Sequence, residues 1–305
     1  MKRILTYLFP LFLALSCGKI QPGAEGLLAD EISAELFVSS SELVMEGPAT
    51  KAQYPLDPAV ENTIANLWLL QYASDGRLVK AEYRELDRPV LSISLQVKFV
   101  KSPGSTIVLL ANMGGVHTDD PQWPSSADFK WGEHQGGSLY DLQHKLLACS
   151  METLDMPHLF MSGITELDIS DSEQAVPVNM MLSRLASKFK VAIMSNSNNT
   201  YSGVSLQILN APTRMSFFPN ELDLSGYLGD YAAQEVCPQG TFLGTDDYRS
   251  FYFYTLENLS SNPQQQTLLR VTATKNGAPT SVTVPVSSHG TTYRNTYYNI
   301  QISLK

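Results

Sequence analysis

Apolar and polar residues alternate in short segments along most of the chain. This period of two is typical of β-strands that bury one face and expose the other. The clearest such segments lie at 91–97, 204–208, 282–286 and 298–304. The stretches 67–70 and 106–110 are instead continuously apolar, which predicts central strands covered on both faces.

Turn sequences separate several of these segments. Asp75-Gly76 and Asn276-Gly277 each lie between two strand-like segments. Both dipeptides readily adopt the backbone angles of tight turns, so we predict one β-hairpin in each half of the chain. Around Ser138 the pattern becomes helical, and Asp141 is spaced to complete a capping box with it.

The pattern as a whole predicts a mostly β fold built from antiparallel strands, with one or two short helices. A chain of 305 residues suits about two domains. Strands at this spacing are typical of β-sandwiches. We therefore predict an N-terminal β-sandwich domain at 52–182 and a C-terminal one at 183–305.

Residues 1–16 have the pattern of an export signal. Lys2 and Arg3 precede an apolar stretch at 4–15 that is too short to span a bilayer. Small residues and then Cys17 follow it, an arrangement that resembles a bacterial lipobox, in which the cysteine is acylated after cleavage. We predict a lipoprotein anchored by lipid at Cys17 to the outer membrane, with 17–51 as its N-terminal segment. The alternative is an ordinary signal peptide with an incidental cysteine.

Composition and charge exclude one class of partner. The chain has 43% hydrophobic and 17% charged residues, as expected of a folded protein. Its formal net charge is −9, and no run exceeds two basic residues. A chain of this kind attracts phosphate backbones poorly, so nucleic acid is not an expected partner.

The sequence contains no recognisable catalytic constellation. Its five histidines are scattered, without the spacing of a zinc site, and no nucleophile elbow, P-loop or dinucleotide fingerprint is present. His117 with Asp119 and Asp120 is a weak metal candidate against the simpler interpretation of a polar loop. We expect no enzyme activity, no catalytic residue, no metal and no cofactor.

Two tryptophans and two cysteines leave alternatives open. Trp123 and Trp131 lie in a Pro- and Gly-rich loop, where they would contact a sugar or a partner, or pack back onto their own domain, which is the commoner outcome. Cys149 and Cys237 fall in different predicted domains. Buried thiols are favoured over a bridge between them.

Five segments occur in a fixed order behind the lipobox. They are IANLWLLQY with DGRLV at 64–79, TIVLLAN at 106–112, RLASKFKVAI at 184–193, FYFYTLEN at 251–258 and RNTYY at 294–298. Together they resemble the fimbrillin superfamily of Bacteroidetes, the lipoprotein-derived type V pilins and related surface proteins of these bacteria.

The resemblance implies two transthyretin-like β-sandwich domains and assembly by donor-strand exchange. In such pilins a trypsin-like protease removes an N-terminal segment with the first strand, and the exposed groove accepts a strand of another subunit. Here the alternating residues 34–39 would be the removable strand. Cleavage between Lys51 and Ala52 would release it, although the family's better-known site has Arg. Lys51 is equally well interpreted as a surface lysine in a loop.

The resemblance also implies a role and a position. Shaft subunits extend beyond the Arg-Asn-x-x-Tyr strand, whereas this sequence stops at Lys305. We therefore expect a non-enzymatic tip or accessory subunit of a fimbrium, with other pilin subunits as partners and a host or microbial surface ligand as a further one. The alternatives are the pilus anchor, which would keep its first strand, and a lipid-anchored glycan-binding protein of a nutrient uptake system.

Overall fold

The structure is a computed structural model that describes residues 30–46, 61–113, 137–149, 159–170, 176–195, 199–219, 226–235, 248–288 and 290–305. Within these ranges the chain forms mainly β-strands, with a short helix at 139–144. In chain order they are β1 (Glu31–Ser40), β2 (Val44–Glu46), β3 (Ile64–Tyr72), β4 (Leu78–Val90), β5 (Ser92–Val100), β6 (Ser105–Ala111), α1 (Leu139–His144), β7 (Leu146–Ala148), β8 (Met161–Leu167), β9 (Val176–Arg184), β10 (Ala186–Ser195), β11 (Tyr201–Pro212), β12 (Arg214–Ser216), β13 (Leu228–Glu235), β14 (Tyr248–Leu256), β15 (Leu268–Lys275), β16 (Ala278–Pro285) and β17 (Thr296–Leu304). The predicted mostly β fold class is confirmed.

Both predicted hairpins are present. The Asp75-Gly76 turn connects β3 to β4, which pair antiparallel. Asn276-Gly277 connects β15 to β16, and both residues have positive φ, 47° and 87°. These are the angles that a two-residue hairpin turn requires and that Asn and Gly tolerate best.

The helix α1 starts at the predicted capping box. Ser138 Oγ accepts a hydrogen bond of 3.1 Å from the Asp141 backbone N–H, and the Ser138 backbone N–H donates to the Asp141 carboxylate at 3.0 Å. Two backbone donors that the first turn would otherwise leave without partners are thereby satisfied.

The N-terminal strands form one seven-stranded sheet in the order β4-β3-β6-β8-β9-β1-β5. It bends between β8 and β9, whose pairing is limited to Met161 with Arg184 and Ser162 with Ser183. Gly163 permits this bend, because a Cβ there would lie 2.9 Å from the Met181 carbonyl oxygen. The two halves of the bent sheet face one another across a buried cluster that we call the N-terminal core: Ile32, Ala34, Leu36, Val38, Ile64, Leu67, Leu69, Val97, Phe99, Ile107, Leu109, Ala111, Met161, Ile169, Val178, Met180 and Leu182.

The continuously apolar strands β3 and β6 are covered on both faces, as predicted. Leu67 and Leu69 face the N-terminal core, whereas Trp68 and Leu70 face a second cluster, the middle core. The middle core also includes Leu142 of α1 and residues of the C-terminal part of the chain: Leu185, Ala186, Met215, Phe217, Phe218 and Leu256. Side chains on the two faces of these strands thus contact two different cores. Both faces are therefore apolar, which is why the sequence shows no alternation there.

The C-terminal strands, joined by β2, form two four-stranded sheets, β14-β10-β17-β2 and β13-β11-β15-β16, whereas β12 pairs with β7. A third buried cluster, the C-terminal core, contains residues from both. The Phe189 ring stacks on Phe253 and Tyr298, with ring centroids 5.0 and 4.7 Å apart. Alternating residues of β11 and β17 face this core, as their pattern predicts.

Two expectations need correction. Not all pairings are antiparallel, because β1 pairs parallel with β9, β10 with β17, and β17 with β2. Each joins strands far apart in sequence, so no tight turn sets their relative direction. Leu91, expected to face inward with its strand, lies between β4 and β5 and is 52% exposed. The chain turns at this residue, which ends the alternation.

Candidate functional site: the slot filled by the first strand

The strand β1 buries one face completely. Ile32, Ala34, Leu36 and Val38 belong to the N-terminal core, and Leu36 is only 1% exposed. The intervening Phe37 points outward and is 44% exposed. The predicted alternation at 34–39 is therefore present, and it extends along most of the strand.

The two neighbours of β1 are distant in sequence. On one side β1 pairs antiparallel with β5, from Glu31 opposite Val100 to Ser39 opposite Ser92. On the other it pairs parallel with β9, from Ala34 opposite Val176 to Ser40 opposite Leu182. A strand near the start of the chain therefore occupies an interior place in the sheet. We call this place the β1 slot; its apolar lining includes Val97, Phe99, Val178, Met180 and Leu182.

The chain after β1 continues across to the C-terminal strands. The Ser41 backbone N–H donates to the Leu182 carbonyl at 2.8 Å. Asn295 then holds the next residues from both sides, since its Nδ2 donates to the Glu42 carbonyl at 2.7 Å and its own carbonyl accepts from Val44 N–H at 2.9 Å. Val44 begins β2, which adds to the edge of β17. Residues 30–46 thus form one ribbon, the N-terminal ribbon, that contacts both sets of sheets.

A buried arginine fastens this ribbon. Arg184 is 1% exposed, and its Nη1 donates to the Ser41 carbonyl at 2.8 Å and to Asn295 Oδ1 at 2.6 Å. It also donates to the Glu61 carbonyl and to Asn62 Oδ1. Burial lowers the pKa of Arg184, although Glu61 opposes the shift. A guanidinium fits this place because its fixed, planar donors reach several acceptors at once.

Other residues of the five resembling segments also take structural places at this junction. Lys188 Nζ contacts Glu61 Oε1 at 2.5 Å. Arg294 Nη2 contacts Glu257 Oε2 at 2.8 Å, and its Nη1 donates to the Phe217 carbonyl at 2.8 Å. The first contact joins β10 to the approach to β3, and the other two join the approach to β17 to the residues that follow β14 and β12.

Asn112, the last residue of the TIVLLAN segment, has a comparable role after β6. Its φ is 64°, an angle that Asn tolerates better than most residues. Its Oδ1 accepts from Ala65 N–H at 2.8 Å, and its Nδ2 donates to the carbonyls of Thr63 and Leu159 at 2.9 and 2.7 Å. One buried amide therefore joins three stretches of chain.

Several predicted residues lie outside the described residues: Cys17, Lys51, Ala52, His117, Asp119, Asp120, Trp123, Trp131 and Cys237. Cys149 is described and is buried in the middle core. Among the residues that the structure describes, no group of three or more His, Cys, Asp or Glu could hold a metal ion. No helix in these ranges has the length and apolar content to cross a membrane.

The fold has solved counterparts among bacterial fimbrial and cell adhesion proteins. The structure matches the tip fimbrial protein Mfa3 of Porphyromonas gingivalis, solved with a C-terminal truncation, with a TM-score of 0.59 at 15% identity, over 90% of this chain and 96% of that one. The chain has the fold of the Bacteroidetes fimbrial proteins. A candidate cell adhesion protein of Parabacteroides distasonis matches with a TM-score of 0.63 at 16% identity, over 89% and 88% of the two chains.

A fimbrilin of Porphyromonas gingivalis shares this fimbrial fold, with a TM-score of 0.54 at 14% identity, over 83% of this chain and 80% of that one. No family model matches the sequence, and no curated protein does. The likeness therefore lies in the fold, and it agrees with the resemblance seen in the five segments.

Sequence reasoning missed two features of the site. It placed the strand at 34–39 but not β2, because three residues are too few to show a period. Arg184 and Asn295 entered the sequence interpretation only as members of the resembling segments, and no contact between them was predicted. Their spacing of more than a hundred residues gives no signal that one donates to the other.

Proposed function

We propose that this chain is a non-enzymatic subunit of a fimbrium and that it accepts a strand of another subunit in the β1 slot. The observation that carries the proposal is the place of β1, which is near the start of the chain, interior in the sheet and buried along one face. Removing the N-terminal ribbon would leave two strand edges and an apolar groove between them. Such a groove binds an extended segment through backbone hydrogen bonds and alternate side chains.

The slot would select its strand by size. The donor must present apolar side chains at every second position, matching Ile32, Ala34, Leu36 and Val38. The position of Ala34 is fully buried, so a small residue is required there. The outward positions tolerate most residues, since those in β1 are exposed.

The proposal includes the maturation steps that would empty the β1 slot. Lipid at Cys17 would anchor the exported protein to the outer membrane, and cleavage between Lys51 and Ala52 would free the ribbon. Two transthyretin-like β-sandwich domains, at 52–182 and 183–305, would remain. The likeness to the tip protein Mfa3 favours a tip or accessory position, with Trp123 and Trp131 as candidate ligand contacts.

A cut-and-exchange experiment tests the acceptor function on the folded chain. A site for a sequence-specific protease is inserted between Glu46 and Glu61, the folded protein is cut there, and a fluorescent peptide copying residues 30–46 is added in excess. We expect the peptide to replace the resident ribbon. A matched peptide with Leu36 and Val38 changed to Asp should not bind, since it would bury charge in an apolar groove. Failure of the unchanged peptide to enter would refute the acceptor function.

N-terminal sequencing of the protein from the cell surface tests the maturation. A mature chain beginning at Ala52 is expected for a trimmed tip or accessory subunit. A chain that begins at Cys17 and keeps its ribbon would instead support the anchor role.

A further inference from the structure

The strand β5 has a weak position in the sheet. It lies at one end of the seven-stranded order, and within the described residues β1 is its one hydrogen-bonded strand neighbour. If the N-terminal ribbon leaves, as the proposed function requires, β5 loses all of these backbone pairs. As a wall of the slot, β5 would then be held by its link to β4 through Leu91, by Val97 and Phe99 in the N-terminal core, and by the contacts of its outer edge.

Three side chains reach the outer edge of β5 from the opposite half of the sheet. Arg84 Nη2 donates to the Gln96 carbonyl at 2.8 Å, and Lys80 Nζ donates to the Lys98 carbonyl at 2.5 Å. Both come from β4, the strand at the other end of the sheet order. Gln96 and Lys98 are two residues apart, so their carbonyls point to the same edge, away from β1.

The third side chain completes this series at Val100. Gln71 Nε2 donates to the Val100 carbonyl at 2.6 Å, and Gln71 Oε1 accepts from the Val100 backbone N–H at 2.9 Å. Gln71 is fully buried on β3. Its amide therefore pairs with β5 much as a neighbouring backbone would.

A carboxylate holds the two cations toward β5. Glu82 lies between them on β4, and its Oε1 is 2.6 Å from Arg84 Nη2. Its Oε2 is 3.8 Å from Lys80 Nζ. The side chains of Lys80 and Arg84 are 18% and 29% exposed, so water competes only partly for these donors. These contacts do not involve the N-terminal ribbon, but Lys80 Nζ also lies 3.5 Å from Glu31 Oε1 of that ribbon.

We propose that Gln71, Lys80 and Arg84 hold β5 in place as a wall of the empty slot. This inference rests on the proposed acceptor function and adds that the slot is formed before the donor arrives. Gln71 and Arg84 are positioning residues that act through β5, and Lys80 in addition pairs with Glu31 of the resident strand. A preformed groove binds faster and more tightly than one that must order a strand first. The same contacts cover the outer edge of β5, which would otherwise be free to pair with another chain.

The test uses the cut protein and a fluorescent peptide copying residues 30–46 with Glu31→Gln, which removes the ion pair that Lys80 would make with the donor. The double variant Lys80→Met with Arg84→Met removes both cationic donors while keeping side-chain length. The matched control is Lys190→Met with Arg270→Met, which removes one lysine and one arginine from strands β10 and β15, outside the N-terminal sheet. Titration gives the dissociation constant, a chase with unlabelled peptide gives the dissociation rate, and their ratio gives the association rate.

We expect the double variant to bind the peptide with an association rate lower by about tenfold, since loosening β5 adds an ordering cost of the size of one charged hydrogen bond. Its dissociation rate should change by less than about threefold, because β1 pairs with β5 once the slot is filled. The control should stay within about twofold of the unchanged protein. Restoring donors, as Lys80→Arg with Arg84→Lys, should recover most of the association rate.

The outcomes separate this inference from the proposed function. If the unchanged protein takes up no peptide, the acceptor function fails. If it does, and the double variant associates at the same rate, the positioning role is refuted. A variant that only dissociates faster would also refute it, since that shows a contribution to the filled slot alone. Should the double variant not fold, Arg84→Met alone is used, with an expected association rate lower by about threefold.

Discussion

Replacing Leu36 by Ala is the sharpest test of the β1 slot. Leu36 is 1% exposed, in the middle of the buried face of β1, and belongs to the N-terminal core. Removing a fully buried leucine side chain costs about 2–5 kcal/mol, the larger values applying where the surroundings cannot close the cavity. The neighbouring Phe37→Ala is the matched control. Its side chain is 44% exposed on the opposite face, so the change should cost under about 1 kcal/mol.

Two assays should report the same energy for this substitution. Urea unfolding of the intact protein gives the loss of unfolding free energy directly. In the cut protein, a peptide carrying Leu36→Ala should bind about 30-fold to several thousandfold more weakly, because each 1.4 kcal/mol is about a factor of ten in affinity. If Leu36→Ala lowered the unfolding free energy and the peptide affinity no more than Phe37→Ala does, the buried face of β1 would not be the main source of strand-binding energy.

Further predictions concern the contacts around the slot and the helix. Arg184→Met should lower the unfolding free energy by about 3–5 kcal/mol in urea denaturation, and Arg184→Lys should recover little, because several buried acceptors lose a partner that one ammonium cannot replace. Asn112→Ala should cost about 2–4 kcal/mol in the same assay, since it leaves buried backbone groups without partners at a positive φ; a loss below about 1 kcal/mol would contradict that role. Hydrogen bonds from Ser138 lower the pKa of Asp141, so its contribution is complete above the ordinary pKa of a carboxyl group and is lost as the pH falls through the lowered one. Ser138→Ala removes the hydroxyl donor but keeps the backbone donor, so it should raise the pKa of Asp141 only part of the way in an NMR titration; an unchanged pKa would show that the hydroxyl does not contribute to the shift.

The proposed exchange requires a chain that stays folded while its N-terminal ribbon is replaced. The ribbon contacts the seven-stranded sheet through β1 and the C-terminal sheet through β2, yet it covers only residues 30–46. Most of the buried residues of the three cores come from the rest of the chain. A short segment that is held by backbone hydrogen bonds and alternate apolar side chains can be replaced by another segment with the same pattern. This is the physical basis of strand addition.

Local patterns in the sequence determined the parts of this structure that depend on near neighbours. The alternation at 34–39 identified which face of β1 is buried, and the continuous runs of β3 and β6 identified strands covered on both sides. Asn276-Gly277 and Ser138 marked a turn and a helix start, because those conformations depend on the residues themselves and on the few that follow. The five resembling segments indicated a fimbrial fold that the solved structures share.

Only the tertiary structure decided which strands meet. That β1 lies between β5 and β9, and parallel to β9, follows from no local signal, since a backbone hydrogen bond is the same whichever residue supplies it. A period of two reports that a face is buried but not what it is buried against. The partners of Arg184, and the reach of Lys80 and Arg84 to β5, likewise appear only when distant segments are packed together. The sequence therefore determined that a strand like β1 exists, and the packing around it decided that this strand fills a slot.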